Sequence, residues 1–299
     1  MQRYKKLLVA LNLEETDESL IRYAARIGRM AGSQEVHFYH ISDELDLPRT
    51  LCSAVEGDRS CRTVIDRMQE SVEAHFEGDA EMKTIFDASE GDRLADILAY
   101  TKQKDIDLVL VEKICGGGSK IPERLARKAP CSVLLVTPGT QDSFEKIFAA
   151  LDFSEQSKQA LETALAFARA SGTNKVTCVH VYSVPLGYAK TGHSHEKFAE
   201  IMEENARGEY ERFMESIDTR GIETEFVLQH DKRPVDGIAG IVHGAGANLL
   251  VVGARGRSKT MAILLGAVTE RLIEICNVPI LTVKKKGQGM SILEAIFDI

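Results

Sequence analysis

The chain states one plan twice. Lys6-Leu7-Leu8-Val9-Ala10-Leu11-Asn12 lies over Lys146-Ile147-Phe148-Ala149-Ala150-Leu151-Asp152 at an offset of 140 residues, and the same offset sets Gly32 on Gly172, Val36 on Val176 and His40 on His180. Agreement sustained over about 35 residues is the mark of a duplication, so whatever the first copy folds into the second must fold into as well. Further along, Asp107-Leu108-Val109-Leu110-Val111 matches Asn248-Leu249-Leu250-Val251-Val252 at 141, and Val133-Leu134-Leu135-Val136 matches Ile280-Leu281-Thr282-Val283 at 147. The first copy therefore lacks six residues in the segment where the second carries a glycine-rich loop.

Each copy alternates short Val, Ile and Leu runs with helical patterns. In the second copy the spacing predicts strands near 146–152, 175–182, 223–229, 248–252 and 278–284. Continuous apolar runs suit strands covered on both faces, and the intervening helices imply parallel βαβ units. After Asp152, Ser154 is a helix N-cap, Leu161, Ala164, Leu165 and Ala168 form the inward stripe, and Gly172 is the stop. The first copy repeats this with Thr16 or Asp17 opening, Leu20, Tyr23, Ala24 and Ile27 inward, and Gly32 closing. The 299 residues suffice for two domains that each bury a core. The expected organisation is two doubly wound α/β domains of five strands, at 1–140 and 141–286, joined through the turn-prone Pro138 to Ser143, with a tail at 287–299.

The second copy is organised around Leu249 to Val283, which reads as strand, glycine loop, helix and strand. Gly253 and Gly256 feed the loop, and Gly266 heads the amphipathic segment Ala267 to Cys276. Glycine lets main-chain N–H groups approach an anion, and a helix start adds partial positive charge, so one reading is a nucleotide-phosphate loop. The other is a strand-to-helix turn that uses glycine for its dihedrals alone, and local pattern leaves both open. Ligands of doubly wound sheets sit beyond the carboxyl ends of strands, where the strand order reverses. If the first and fourth strands are neighbours, Asp152 and the Gly253 loop face one crevice, which favours the phosphate reading.

Composition narrows the classes. A net charge of -8, from 37 Lys and Arg against 45 Asp and Glu, argues against broad nucleic-acid binding. No apolar run approaches a membrane span, so a cytoplasmic protein without a membrane role is expected. Six scattered cysteines without CxxC spacing support neither a disulfide framework nor a zinc site. There is no GxSxG elbow, no Ser-His-Asp order and no paired carboxylates, so no dedicated catalytic group is visible and at most weak ATP hydrolysis is expected.

The chain resembles the universal stress protein family, in its tandem form, over nearly its whole length. The resemblance is carried by Ala150-Leu151-Asp152-Phe153-Ser154, by Val179-His180-Val181, and by Gly253-Ala254-Arg255-Gly256 followed by Gly266-Ala267-Val268-Thr269. It implies an adenine nucleotide alpha hydrolase-like fold with strand order 3-2-1-4-5. It also implies ATP or ADP in the second domain, possibly with Mg, in a protein that answers stress. The aspartate matching Asp152 lies near ribose, phosphates and nucleotide-bound Mg in the ATP-binding members. There the main chain at Val181 meets the adenine, and the glycine loop wraps the phosphates. The resemblance further implies edge pairing of fifth strands, here Cys131 to Val136 antiparallel to Val278 to Val283, as an internal pseudo-dimer or within a homo-oligomer.

Two departures qualify it. Ala267 stands where ATP binders carry Ser or Thr, which removes a hydroxyl contact of about 0.5 to 1.5 kcal/mol. Arg255, Arg257 or Lys259 can supply charge-assisted contacts instead, or can be solvated loop charge. In the first domain Asn12 replaces the aspartate, and Gly116-Gly117-Gly118 sits in a loop too short for the family spacing, so that half reads as scaffold. Three functions follow: a nucleotide-binding stress-response module, a nucleotide-independent dimerising adaptor, and a slow ATPase.

Other polar features have plainer readings. His193 and His195 fall in a polar segment, Lys190 to Lys197, read as a mobile surface loop rather than a metal site. His40 and His180, at matching strand ends, are expected to pack or hydrogen bond. Asp231 and Asp236 are expected to cap the helix beginning near Val235. In the tail, Lys284 to Lys286 precede Ile292, Leu293, Ile296, Phe297 and Ile299 at helical spacing, an apolar face that calls for a docking partner.

Overall fold

The computed structural model describes residues 4–42, 57–79, 81–114, 119–254 and 265–285, with side chains of 57–63 left aside. The chain divides into two compact units, the first holding the chain up to Asp142 together with Lys285 onward, and the second spanning Ser143–Lys284. The tail, the triple glycine and residues 255–264 lie outside the described residues.

In the first unit the strands are β1 (Lys6–Leu11), β2 (Glu35–Ser42), β3 (Lys83–Glu90), β4 (Leu108–Glu112) and β5 (Ser132–Val136). They alternate with α1 (Asp17–Ala31), α2 (Gly57–His75), α3 (Arg93–Gln103) and α4 (Ile121–Lys128). The second unit has β6 (Ile147–Ala150), β7 (Lys175–Tyr182), β8 (Glu223–His230), β9 (Leu249–Gly253) and β10 (Ile280–Val283). Its helices are α5 (Glu155–Ser171), α6 (His195–Met214), α7 (Pro234–Gly244) and α8 (Ala267–Ile275).

The order is β3-β2-β1-β4-β5 in the first unit and β8-β7-β6-β9-β10 in the second, so each sheet runs 3-2-1-4-5. All these pairings are parallel, and register places the strand ends together: Ala150 stands opposite both Val179 and Val252. Leu7–Leu11, Leu108–Val111 and Val133–Val136 are sealed from solvent, as are Ile147, Ala149, Val176, Val179 and Leu249–Val252. Each buried Leu, Ile or Val contributes about 1.5 to 3 kcal/mol, which is why the apolar runs become central strands.

Duplication reaches single contacts. Asp107 Oδ2 accepts from the Lys6 N–H at 2.9 Å, and Asn248 Oδ1 accepts from the Lys146 N–H at 3.0 Å, so each copy ties the start of its first strand to the residue before its fourth. Gly32 and Gly172 close α1 and α5 in the left-handed region, at φ 59° and 78°, where a Cβ would be strained. Ser154 caps α5 by accepting from the Ser157 N–H, as its sequence position suggests.

Candidate functional site

In the second unit β6 lies between β7 and β9, with their carboxyl ends at one edge. Three adjacent strand ends therefore meet where the crevice between Asp152 and the Gly253 segment is expected, at the point where strand order reverses. The turn out of β6 places Asp152 there. Ser154 holds the carboxylate, donating to Oδ1 from its N–H at 3.1 Å and from its hydroxyl at 2.6 Å. Phe153 takes φ 61°, a conformation costly for a bulky residue. Its ring lies against His180 (centroids 4.5 Å apart) and Phe213 (5.6 Å), contacts that offset the strain.

His180 donates from Nδ1 to the Leu151 carbonyl at 2.7 Å, fixing the strand end beneath Asp152. His40 makes the matching bond to Leu11 at 3.0 Å, so both histidines pack and hydrogen bond as expected. Ala150 is half-buried, while Leu151 and Val181 are buried. Above Val181 the helix α7 comes so close that a Cβ on Gly237 would stand 3.0 Å from Val181 Cγ1 and 3.2 Å from Asp231 Cβ. This glycine was not singled out from sequence; the available signal was a helix that carries glycines at 237 and 240 in its interior, each costing about 1 kcal/mol against alanine.

At the opposite wall, Gly253 ends β9 and Gly266 caps α8. The Gly266 N–H donates to the Ala254 carbonyl at 2.8 Å, drawing the two ends of the glycine segment together. The helical ladder then begins with Glu270 N–H to Gly266 carbonyl at 2.9 Å, so the N–H groups of Ala267, Val268 and Thr269 precede it and form the electropositive start of α8. The buried Thr269 hydroxyl donates to the Gly253 carbonyl at 2.9 Å and clasps the helix to the strand end. Val268 is 41% exposed. Arg255 and Gly256 lie outside the described residues.

The first unit fills the same edge differently. Asp17, 1% exposed, accepts from the main-chain N–H groups of Asn12 (3.0 Å), Leu13 (2.6 Å) and Glu14 (3.3 Å). The carboxylate thereby occupies the amide nest of its own β1–α1 turn. Burial pushes its pKa up, against the pull of those three donors, and the nearby Glu112 charge pushes the same way. Asn12 donates from Nδ2 to Glu112 Oε2. Beside this pair is a cavity of about 240 Å³ whose lining includes Asn12, Glu14, Arg93, Glu112, Ser119 and Pro122. Glu112 closes an apolar strand, and that position was the sequence signal for a buried carboxylate.

Two expectations are corrected. Lys190 to Lys197 is loop only over residues 192–194: a 3-10 turn over Leu186–Thr191 precedes it and α6 follows, whose cap Ser194 accepts from the Lys197 N–H at 3.2 Å. His195 there sits edge-on to Tyr188 at 5.3 Å. Asp231 and Asp236 do not cap α7, which Pro234 opens at its first turn. Asp231 accepts from the Arg233 N–H at 2.8 Å, and Asp236 pairs with the Arg233 side chain at 2.7 Å. Among the described residues no group of three His, Cys, Asp or Glu could hold a metal, and the cysteines Cys131, Cys178 and Cys276 are buried. No helix of the described residues is long and apolar enough to cross a membrane.

Two parallel sheets, each of order 3-2-1-4-5, define a tandem α/β protein of the adenine nucleotide alpha hydrolase-like class. The model of the universal stress protein family matches residues 3–137 and again 143–284, so the chain belongs to the universal stress protein family. Universal stress protein MJ0577 of Methanocaldococcus jannaschii is 28% identical over 159 residues, covering 48% of this chain and 97% of that protein. A universal stress protein of Archaeoglobus fulgidus shares the fold along 94% of this chain and 98% of its own, at a TM-score of 0.64 and 18% identity. Another universal stress protein, solved in complex with cAMP, aligns with 47% of this chain and 96% of its own at a TM-score of 0.32 and 22% identity.

Proposed function

We propose that the second unit binds an adenine nucleotide, ATP or ADP, and that the protein is a cytoplasmic stress-response module whose conformation or assembly follows nucleotide occupancy. The observation that carries this reading is the adjacency of β6 and β9, which brings the turn that carries Asp152 to the same sheet edge as Gly253 at the end of β9, whose carbonyl is clasped by Thr269 in the first turn of α8. In this reading Asp152 serves the ribose and phosphates, and any Mg carried with them. The main chain at Val181 faces the adenine beside Ala150 and Leu151. Gly253, Arg255, Gly256 and Gly266, with the N–H groups of Ala267, Val268 and Thr269, surround the polyphosphate. A helix start with unpaired N–H groups suits an anion on electrostatic grounds. Magnesium would supply charge neutralisation at the phosphates, with Asp152 as the protein carboxylate nearest to it.

Ala267 weakens the site by one hydroxyl contact, about 0.5 to 1.5 kcal/mol. The test is calorimetric titration of ATP and ADP into the full chain. A saturable heat lost on Gly256→Val supports the reading; none at millimolar nucleotide overturns it in favour of a nucleotide-independent dimerising adaptor, which Ala267 favours. Hydrolysis, if measured, is expected at background rates, since no side chain near Asp152 is assigned as a base.

A further inference from the structure

We propose that the cavity of the first unit is a separate binding site for a small organic cation bearing a primary ammonium group. It rests on the first unit alone and is independent of the nucleotide reading. Glu112 lines the cavity at 8% exposure; Asn12 Nδ2 takes Oε2, and Oε1 meets no hydrogen-bond partner. Because the Asn12 amide must turn its NH2 toward this carboxylate, its Oδ1 is fixed as an acceptor, and that atom too is buried without a partner. Two buried acceptors, one on a carboxylate, on side chains of one small cavity are an exception to the rule that buried polar groups are satisfied.

A primary ammonium group answers both, since it brings positive charge and three donors. An anion would meet Glu112 and Glu14 in the lining, and the turn amides that could hold it already serve Asp17. Arg93 is the cationic side chain among those lining residues and is outnumbered by the two carboxylates. A multivalent metal lacks a third ligand, because no group of three His, Cys, Asp or Glu gathers among the described residues. At about 240 Å³ the cavity falls below the range of drug-sized pockets, so the ligand is short. The site is thus opposite in polarity to the crevice of the second unit.

The experiment titrates ethylammonium chloride and 1,4-diaminobutane into the full chain by calorimetry and thermal shift, with potassium chloride and inorganic phosphate in parallel. Saturable amine binding at one site per chain is expected, weakened about tenfold or more by Glu112→Gln and unchanged by Asp152→Ala. A tenfold loss corresponds to about 1.4 kcal/mol, as expected for one charged contact. In the absence of ligand, Glu112→Gln should not lower the melting temperature, which a purely structural carboxylate would. Should that variant not fold, amide shift perturbations of the wild-type chain decide: changes centred on residues 12, 112 and 119 support the site. Shifts spread over the acidic surface, an equal response to potassium, tight phosphate binding in the first unit, or no saturable amine binding would each overturn it.

Discussion

In the second unit the turn that leaves the first strand ends in Asp152, pinned by Ser154 and facing the start of α8; in the first unit the same turn ends in Asn12, bonded to Glu112, with Asp17 closing the amide nest beneath. Contacts that build the fold are duplicated with little change. The histidine at the end of the second strand, the tether of the first strand to the fourth, the left-handed residue at Leu13 and Phe153 and the terminal glycines all recur. What changes is the polarity of the strand-end edge. Ser157 stands where Asp17 stands in the repeat, and its hydroxyl donates to the Ser154 carbonyl at 2.9 Å rather than serving the turn amides. The first copy sets the Asp17 carboxylate on its turn amides, whereas in the second the Ser154 N–H of the matching turn goes to Asp152 Oδ1.

The largest effect should separate those two positions. Asp17→Ala strips an acceptor from three main-chain donors and is expected to cost about 2 to 4 kcal/mol in denaturant unfolding, whereas Ser157→Ala should cost under about 1 kcal/mol. Equal costs would mean that the nest is not what distinguishes the copies. Next in size, Asp152→Ala should weaken nucleotide binding by about 10- to 100-fold, the value of a charge-assisted contact, while Asn12→Ala leaves it unchanged. Thr269→Val should lower stability by about 1 kcal/mol through loss of the Gly253 clasp and change nucleotide affinity little; a large affinity loss would make the hydroxyl a ligand contact.

The smallest effect is one of pH, and it belongs to the first unit. Burial depresses His37 and His40 below their ordinary value of 6.5; Glu35 opposes this at His37, whereas Lys6 and Lys104 there, and Arg93 and Arg67 at His40, add to it. Between 6.5 and the depressed values the unfolded chain holds more protons than the folded one, so stability should fall as pH drops through that window. Thermal melts across it should show this slope reduced in His37→Gln.

Most of the architecture was legible in the residues because strand burial writes itself as apolar runs, and two aligned copies fix which runs matter. Of the candidate site, the strand adjacency was legible: the expectation that the first and fourth strands of the second copy are neighbours holds, and it brings the turn carrying Asp152 and the end of β9 at Gly253 to one sheet edge. Side-chain substitutions that close a site were not. Asp17 reads as an ordinary helix opener, yet it folds back onto its own turn, a tertiary choice that local propensity does not encode. Glu112 looks like the polar end of a strand and is instead buried against Asn12. The segment from Lys190 to Lys197 read as a loop because its composition is polar, whereas its Ser194 cap was the better guide to a helix start.

Native mass spectrometry of the intact chain with ATP or ADP, repeated on Asp152→Ala and Asn12→Ala, measures the asymmetry directly. One nucleotide per chain, lost from Asp152→Ala and kept by Asn12→Ala, is the expected result. Two nucleotides per chain, or one that survives Asp152→Ala and disappears with Asn12→Ala, would contradict it.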